Sequence, residues 1–358
     1  MSAGAGPDDN GTGLGAGARA GTGAERVGIR QVAELAGVAI SSVSRAVSGH
    51  PGVSETMRSR VLAAADQLGW QPDLVAGALR RGSSGTVGFV VGDISNPLLS
   101  HIALGAEVTA RAAGYSLVLT NSMNDAHLDA EHIRLLQRRR VDGLLLSLAD
   151  EQGREAHELL ASSTAPVVLI DRELPSDVAA SAVLSDHRAG VLAAAEHLVE
   201  LGHRRIALIA GYPHVRPTRE RVHAVEAAVE ARRNCRSYVR VGAFTEDHGY
   251  AATRELMLLP RPPTAIISGG NQLLIGVLRF LGEAGLRVPA DVSLVTCDSL
   301  PWTDFLAPPL ASVQRDAYRM GEAAAELLLN RLNGHPPEQV LLPTQFIPSP
   351  SCDEVKTR

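Results

Sequence analysis

The stretch that decides the fold lies near the start of the chain, at Ile29–Ser48, and reads IRQVAELAGVAISSVSRAVS. Apolar residues recur at helical spacing on both sides of Gly37, which predicts two short helices joined by a tight turn. The second helix carries small polar residues and one arginine, Arg45, where side chains can reach the edges of base pairs. A helix-turn-helix that binds DNA is therefore the leading hypothesis for this part of the chain.

The helical pattern continues in a third segment from Val61 to Leu68, and Ser54 is its predicted N-cap. We expect this three-helix unit to occupy residues 27–72. Its predicted core consists of the aliphatic residues that recur at helical spacing, namely Val32, Leu35, Val43, Val47, Val61 and Leu62. Because the chain has 358 residues, most of it must fold into other domains.

Charge is distributed unevenly along the sequence. The whole chain has a formal charge of −5, so it has no general basic coat that would attract nucleic acid. Residues 28–82 hold six arginines against four acidic residues, a local balance of +2. This imbalance fits a small DNA-binding head on an acidic body.

The sequence lacks the motifs of secreted, membrane-spanning and metal-binding proteins. Residues 1–26 are rich in Gly, Ala and Thr and have no apolar run typical of a signal peptide, which predicts a disordered arm. No apolar run reaches the ~18 residues that a membrane span requires. Cys235, Cys297 and Cys352 form no CxxC pair, which argues against a disulfide framework and a zinc site. We therefore expect a cytoplasmic protein with no membrane contact, metal or cofactor.

After residue 85 the sequence pattern changes from consecutive helices to strands that alternate with helices. Short β-rich runs bounded by glycine and proline alternate with helical segments from Thr86 to Ile170, and again from Ala189 to Thr296. This alternation predicts two α/β lobes, each a parallel sheet flanked by helices, with a ligand cleft between them. Four polar residues directly follow predicted strands and should converge on that cleft: Asp93, Asn96, Asp171 and Asp298.

Six ordered stretches give the chain a resemblance to a known family. They are VAELAGV at 32–38, VSR at 43–45, DISNP at 93–97, RRVDG at 139–143, LGHRRIA at 201–207 and GLRVP at 285–289. With these motifs, the chain from about residue 29 to about residue 348 resembles the LacI/GalR family of bacterial transcription regulators. The resemblance implies an all-α helix-turn-helix head, a hinge helix and a two-lobe core like that of periplasmic binding proteins.

The resemblance also sets the predicted domain bounds. These are 1–26 for the arm, 27–72 for the DNA-binding domain, 73–85 for the hinge helix and linker, 86–350 for the core and 351–358 for the tail. Within the core, the first lobe is predicted at 86–185 and 314–334, and the second at 186–313 and 335–350. The tail has no leucine heptads that would build a tetramer, so we expect a homodimer in contact along the helix at 97–113.

For the DNA contact, the resemblance places Ile40 and Ser41 at the main base-reading positions and Arg45 at a third. The planar fork of Arg45 matches O6 and N7 of guanine, and an ion pair with phosphate is the alternative. Leu79 matches the hinge leucine that family members insert into the minor groove of a palindromic operator. Four serines are suited to phosphate oxygens, namely Ser42, Ser44, Ser48 and Ser54.

In the core, the resemblance implies contacts with a small-molecule effector, a sugar or sugar derivative. The expected contacts come from Asp171, Arg221 and Asp298, and further from Asp93, Asn96, Asn271 and Gln272. For the first three, structural pairing between the lobes is the alternative. Aromatic residues make up only 3% of the chain, and Trp302 and Phe305 are the nearest candidates to stack on a sugar ring. Trp302 and Arg315 complete the nine expected effector residues, and because Arg315 stands where the family commonly has glutamine, we expect the effector to differ from an ordinary hexose.

Other functions fit the sequence less well. Catalysis has little support, because the chain contains no P-loop, GxGxxG, HExxH or nucleophile elbow. A transport-type binding protein would need a signal peptide and would leave the head without a role. A cytoplasmic binding protein with weakened DNA binding is the third hypothesis, since Ala39 lacks a capping hydroxyl and Asp73 and Gly77 disfavour the hinge. The main prediction is a repressor that is controlled allosterically by its effector.

Overall fold

The structure is a computed structural model that describes residues 27–48, 50–70, 83–298 and 302–355, and of Asp304 the backbone alone. The chain divides into two units, residues 1–77 and residues 78–358. The predicted arm and most of the predicted hinge, with Asp73, Gly77 and Leu79, lie outside the described residues. No helix in the described ranges is long and apolar enough to cross a membrane.

The first unit contains three helices, α1 (Ile29–Ala36), α2 (Ile40–Val47) and α3 (Glu55–Gln67). Gly37 ends α1 in the left-handed region, with φ of 63°, a conformation that costs glycine little because it has no Cβ. The turn from Gly37 to Ala39 then starts α2. The sequence-based prediction of three helices in this region is confirmed.

The core of the first unit contains fewer of the aliphatic residues than predicted. Val32, Val43 and Val61 are completely buried, but Leu35 and Leu62 are 47% and 50% exposed, so the prediction was wrong for these two leucines. At 3.6 residues per turn, each leucine lies at the edge of the arc that its helix buries. The helices approach each other through small side chains instead, those of Ala33, Ala36, Ala46, Ala64 and Ala65.

The helix starts in the first unit differ in their capping. The Ser54 hydroxyl accepts a hydrogen bond from the Met57 amide (3.3 Å), which confirms Ser54 as the N-cap of α3. Ala39 precedes α2 and supplies no side-chain cap, as expected. The first turn of α2 therefore keeps amide groups that no capping side chain satisfies.

The second unit contains two six-stranded sheets. The first sheet consists of β1 (Thr86–Val91), β2 (Ser116–Asn121), β3 (Gly143–Leu146), β4 (Val167–Ile170), β5 (Ala180–Ser185) and β11 (Gln339–Leu342). Its order is β11-β5-β4-β3-β1-β2, and all pairs are parallel. The second sheet consists of β6 (Arg205–Ala210), β7 (Arg236–Val241), β8 (Ala265–Ser268), β9 (Ser293–Cys297), β10 (Ala311–Gln314) and β12 (Gln345–Ile347). Its order is β12-β10-β9-β8-β6-β7, and only β12 runs antiparallel to its neighbour.

Helices cover both faces of each sheet. They are α4 (Pro97–Ala112), α5 (Ala126–Arg138), α6 (Arg154–Ala161), α7 (His187–Glu200), α8 (Arg216–Glu230), α9 (Glu246–Met257), α10 (Asn271–Glu283) and α11 (Ala317–Leu332), with a 3₁₀ turn at Thr303–Phe305. In the first lobe α4 and α11 pack on one face of the sheet, and α5 and α6 pack on the other. In the second lobe α7 and α8 are paired, as are α9 and α10. The predicted pair of α/β lobes is confirmed.

The chain passes between the lobes three times, after β5, after β10 and after β11. The predicted lobe bounds fail at residues 339–342, which were assigned to the second lobe. These residues form β11, which pairs with β5 and so extends the first sheet. A parallel partner satisfies backbone groups that an edge strand would leave unpaired, and this favours the observed placement.

Two glycines allow α4 and α11 to touch along their backbones. A Cβ at Gly321 would lie 2.0 Å from the Ile102 carbonyl oxygen, and one at Gly105 would lie 2.2 Å from the Tyr318 carbonyl oxygen. Both obstacles are backbone atoms, which cannot rotate away. The close approach of these two helices therefore requires glycine at both positions.

We predict that Gly321→Ala lowers the free energy of unfolding by about 1–3 kcal/mol, because α11 must shift to admit the methyl group. The matched control is Gly282→Ala in α10, where an added Cβ meets nothing within 4 Å. This control should gain up to about 1 kcal/mol from the higher helix propensity of alanine. Urea unfolding followed by circular dichroism measures both changes, and a shift of the same sign in the two variants would contradict this account of the helix contact.

Candidate functional site

The exposed face of α2 carries the residues predicted to read DNA. Ile40 is 44% exposed, and Ser41 and Arg45 are also exposed, whereas Val43 and Ala46 face the core of the first unit. The Arg45 guanidinium has no hydrogen-bond or ion-pair partner within the described part of the chain. This face is thus an unpaired polar surface with one free cation.

The predicted phosphate-contacting serines have different surroundings. Ser42 and Ser44 are partly buried on α2. The Ser48 hydroxyl donates to the Arg45 carbonyl oxygen (3.2 Å), and the Ser54 hydroxyl caps α3. Leu79 lies outside the described residues. Among the four serines, Ser48 and Ser54 therefore already have a structural hydrogen bond within the first unit.

In the second unit, Asp171 and Asp298 occupy equivalent places in the two lobes. Asp171 follows β4 and Asp298 follows β9, and both adopt left-handed backbone conformations, with φ of 52° and 70°. The Asp171 amide donates to the Val183 carbonyl oxygen (2.8 Å), and the Asp298 amide donates to the Val313 carbonyl oxygen (2.9 Å). These bonds turn both carboxylates toward the space between the lobes, at the carboxyl ends of the strands.

Arg315 joins the two carboxylates. It lies on the connection between β10 and α11, and its side chain is only 7% exposed. Its Nε and Nη2 donate to the two carboxylate oxygens of Asp298 (2.7 and 3.2 Å), and its Nη1 donates to Asp171 Oδ2. The guanidinium thereby spans the cleft, which is the interlobe pairing that the sequence left open as an alternative to ligand contact.

His187 and Ser185 complete the surroundings of Asp171. The Ser185 amide donates to Asp171 Oδ1 (2.7 Å), and His187 Nε2 lies 3.1 Å from Asp171 Oδ2. Burial lowers the pKa of His187 to about 4, so the ring is neutral near pH 7. A neutral ring that donates through Nε2 leaves Nδ1 as the acceptor for Arg221 Nη2, at 3.5 Å.

The two carboxylates remain ionised despite their burial. Burial alone would raise the pKa of Asp171, but the adjacent His187 ring, the charge of Arg315 and the Ser185 amide together hold it well below its usual value. Burial also acts against the ionised form of Asp298, whose pKa Arg315 and Arg221 nevertheless lower. In return, the carboxylates raise the pKa of Arg315 above its usual value although burial opposes this.

A second set of contacts joins the lobes through amide side chains. Gln272 Nε2 donates to Asp93 Oδ2 (2.8 Å), and Asn271 Nδ2 donates to Asn96 Oδ1 (3.1 Å). Asp93 and Asn96 belong to the first lobe, and the other two residues start α10 in the second. The structure thus brings together four residues that were predicted to contact the effector and bonds them to one another.

A third set of contacts lies at residues that the sequence reasoning missed. Glu151 Oε1 accepts a hydrogen bond from the Arg216 amide (2.7 Å) at the start of α8, where Val215 offers no side-chain cap. Arg216 Nε in turn donates to Glu173 (3.1 Å), and Arg219 pairs with Glu151 (2.8 Å). Glu151 therefore caps a helix of the other lobe, an arrangement that the sequence does not reveal because its partners are distant along the chain.

Between these contacts remains a cavity of about 70 Å³, with room for only a few water molecules. Its lining includes seven of the nine predicted effector residues: Asp93, Asn96, Asp171, Arg221, Gln272, Asp298 and Arg315. Asn271 is buried next to Asn96 but is not part of the lining, and neither is Trp302, which is 40% exposed. The aromatic ring in the lining belongs to Phe244, which follows β7.

The residues around the cavity are suited to binding by directed hydrogen bonds. Asn124, Ser147 and Arg172 add further donors and acceptors to its lining. Within the described residues, no group of three or more His, Cys, Asp or Glu side chains is arranged to hold a metal ion. The cavity thus lies between two closed lobes and combines these polar groups with apolar side chains such as Leu98, Leu99 and Ile102.

Two family models match the chain. The model described as "Bacterial regulatory proteins, lacI family" matches residues 28–73, and the model described as "Periplasmic binding protein-like domain" matches residues 195–352. The first match covers the three-helix unit, and the second covers most of the second lobe together with α11, β11 and β12. Both agree with the architecture of the structure.

Known proteins resemble the chain over most of its length. The HTH-type transcriptional repressor PurR of Haemophilus influenzae is 33% identical over 308 residues, which cover 85% of this chain and 90% of that protein. The Lac repressor dimer bound to operator and an anti-inducer has a TM-score of 0.80 and 26% identity, over 92% of this chain and 100% of its own. A LacI-family regulator from Enterococcus faecium with bound ribose has a TM-score of 0.67 and 26% identity, over 76% of this chain and 100% of its own. With one relative this similar over nearly its whole length, the chain belongs to the LacI family of bacterial transcriptional regulators.

Proposed function

We propose that this protein is a cytoplasmic repressor that binds a palindromic operator as a homodimer and responds to a small molecule held between its lobes. The observation that carries the proposal is the pairing of a free reading face on α2 with a polar cleft in the second unit. The face fits DNA, and the cleft fits a sugar or sugar derivative. The chain would then act by binding alone, with no catalytic step.

On the DNA side, Arg45 is the proposed contact to guanine, and Ile40 and Ser41 are the proposed contacts to neighbouring bases. Their support is exposure on one face of α2, which presents them together to a major groove. Ser42 and Ser44 are proposed to contact phosphates. Ser48 and Ser54 already have hydrogen bonds of their own, and for them the proposed phosphate contact is an additional one.

On the effector side, one buried polar atom of the cavity lining supports a ligand. Arg221 Nε has no hydrogen-bond partner within the described part of the chain. A buried donor without a partner costs free energy, and a hydroxyl group of a ligand would supply the missing partner. Asp93, Asn96, Gln272 and Arg221 are the proposed first contacts, with the Phe244 ring rather than Trp302 beside the ligand.

Measuring the affinity of the protein for operator DNA tests this function. We predict that Arg45→Ala lowers the ratio of operator to non-specific affinity at least tenfold, because a bidentate contact to guanine is worth about 1–3 kcal/mol for each half-site. Fluorescence anisotropy with an operator selected from random DNA, and with a scrambled duplex at the same salt concentration, gives this ratio.

The control for Arg45→Ala is Arg60→Ala, which removes an exposed arginine from α3. It should weaken binding to both duplexes by a similar factor and leave the ratio unchanged. Equal ratios for the Arg45 variant and the wild type would contradict the assignment of Arg45. If the wild type retained neither duplex at low salt, the third hypothesis, a binding protein with weakened DNA binding, would replace the repressor.

A second prediction concerns the hinge leucine implied by the family resemblance. Leu79→Ala should lose operator affinity, because unstacking of the central base step would no longer be offset by an inserted side chain. Non-specific affinity depends on phosphate contacts and should change little. Anisotropy titrations over a range of salt concentrations measure both, and an equal loss on the two duplexes would argue against insertion.

A further inference from the structure

Arg315 has fewer free hydrogen-bonding groups than a ligand-binding side chain needs. Its guanidinium makes four hydrogen bonds, two to Asp298, one to Asp171 and one to the Ser185 hydroxyl. A guanidinium has five N–H groups and no acceptor, so almost its whole capacity is used inside the protein. Arg315 therefore has almost no N–H group left to donate to a ligand.

The carboxylates are occupied for the same reason. Asp171 accepts hydrogen bonds at Oδ1 from the Ser185 amide and at Oδ2 from Arg315 and His187. Both oxygens of Asp298 accept from Arg315. A hydroxyl of a neutral sugar placed between the two carboxylates would compete with the guanidinium for these oxygens.

The charges of the buried side chains make it unfavourable for a neutral hydroxyl to replace the Arg315 guanidinium. The buried carboxylates of Asp171 and Asp298 are matched by the buried guanidiniums of Arg221 and Arg315. If the Arg315 side chain left, Asp171 would keep no charged partner at ion-pair distance in the described part of the chain, because His187 is neutral and the nearby Arg172 guanidinium bonds to backbone carbonyl oxygens. Removing one member of a buried ion pair is strongly destabilising, because the remaining charge stays buried. A neutral ligand would not replace the positive charge that is lost with Arg315.

Because the two carboxylates belong to different lobes, the ion pairs of Arg315 also hold the lobes together. Asp171 lies at the end of the first sheet and Asp298 at the end of the second, and Arg315 lies on one of the three connections that cross between them. From this connection the guanidinium joins Asp171 of the first lobe to Asp298 of the second. The cavity that remains between the closed lobes is about 70 Å³.

We propose that Arg315 is a tethered occupant of the effector cleft. Its guanidinium takes the place of a ligand between Asp171 and Asp298, holds the lobes closed when no effector is present, and reserves the two carboxylates for ligands that carry a positive charge, such as amines or guanidines. The inference rests on the proposed function in one respect, that this cleft is the effector site.

Hydrogen exchange of the full-length protein, without DNA or effector, tests the closure. We expect Arg315→Ala to exchange the Arg216 amide proton about tenfold faster than wild type or more, since its acceptor, Glu151 Oε1, belongs to the other lobe and is within reach only while the lobes are closed. The matched control is Arg319→Ala, four residues further on α11, where the side chain pairs with Glu326 at the surface. It should exchange at the wild-type rate.

Chemical rescue tests whether the guanidinium acts as a ligand. Millimolar methylguanidinium should slow exchange in Arg315→Ala toward the wild-type rate, because it fills the vacated place between the carboxylates. It should leave wild type and Arg319→Ala unchanged. If Arg315→Ala does not fold, Arg315→Lys keeps the charge but lacks the planar fork that spans both carboxylates, and it should also exchange faster than wild type.

Neutral sugar is the third probe. D-ribose, the ligand in the related Enterococcus faecium regulator, should not raise the melting temperature of the wild type. Three results would overturn the proposal: wild-type exchange rates in Arg315→Ala or Arg315→Lys, rescue by methylguanidinium that is equal in the control variant, or stabilisation of the wild type by D-ribose. A wild type that fails to bind operator would contradict the proposed function and leave these exchange rates unaffected.

Discussion

The closed form of the second unit depends on one buried guanidinium held between two carboxylates. Arg315 bonds to Asp171 in one lobe and Asp298 in the other, and both carboxylates are fixed by backbone hydrogen bonds at the ends of their strands. Because charges are costly to bury alone, each of the three groups requires the other two. The amide contacts of Asp93 and Asn96, and the helix cap from Glu151, are compatible only with this closed arrangement.

This interaction gives the family architecture an unusual chemistry. The cleft of the second unit has the polar lining of a site for hydroxyl-rich ligands, but its strongest acceptors are already bonded to an arginine of the same chain. Effector specificity is then decided by whether a ligand can offset the loss of that arginine, and not by the number of hydroxyl groups it offers. The charge of the ligand becomes the selective property.

Much of the fold could be predicted from the sequence because local patterns determine it. The alternation of apolar runs located β1, β4, β6 and β9, and therefore the strand ends that carry Asp171 and Asp298. Edge strands such as β7, which is half exposed and carries charged residues, have no comparable pattern. The placement of β11 depends on pairing with a strand more than 150 residues earlier, which periodicity does not indicate.

The site could be predicted only in part, for a similar reason. The spacing after strands identified the carboxylates, and the departure from glutamine marked Arg315 as unusual. His187, Phe244 and Glu151 were missed, since His187 starts a helix and the other two lie on connections, and their positions at the cleft depend on tertiary packing. Leu35 and Leu62 illustrate the converse error, in which helical spacing places an aliphatic residue next to a buried arc but not within it.

The distance between the lobes in the absence of any ligand is the most direct test of this account. Spin labels at Gln152→Cys and His223→Cys, exposed positions in the first and second lobes, report it by pulsed electron resonance once Cys235 and Cys352 are replaced by serine. Lobes held closed by Arg315 should give a single narrow distance distribution that D-ribose does not change. A broad distribution that shortens and narrows when D-ribose is added would contradict it, because the lobes would then close on the sugar and not on Arg315.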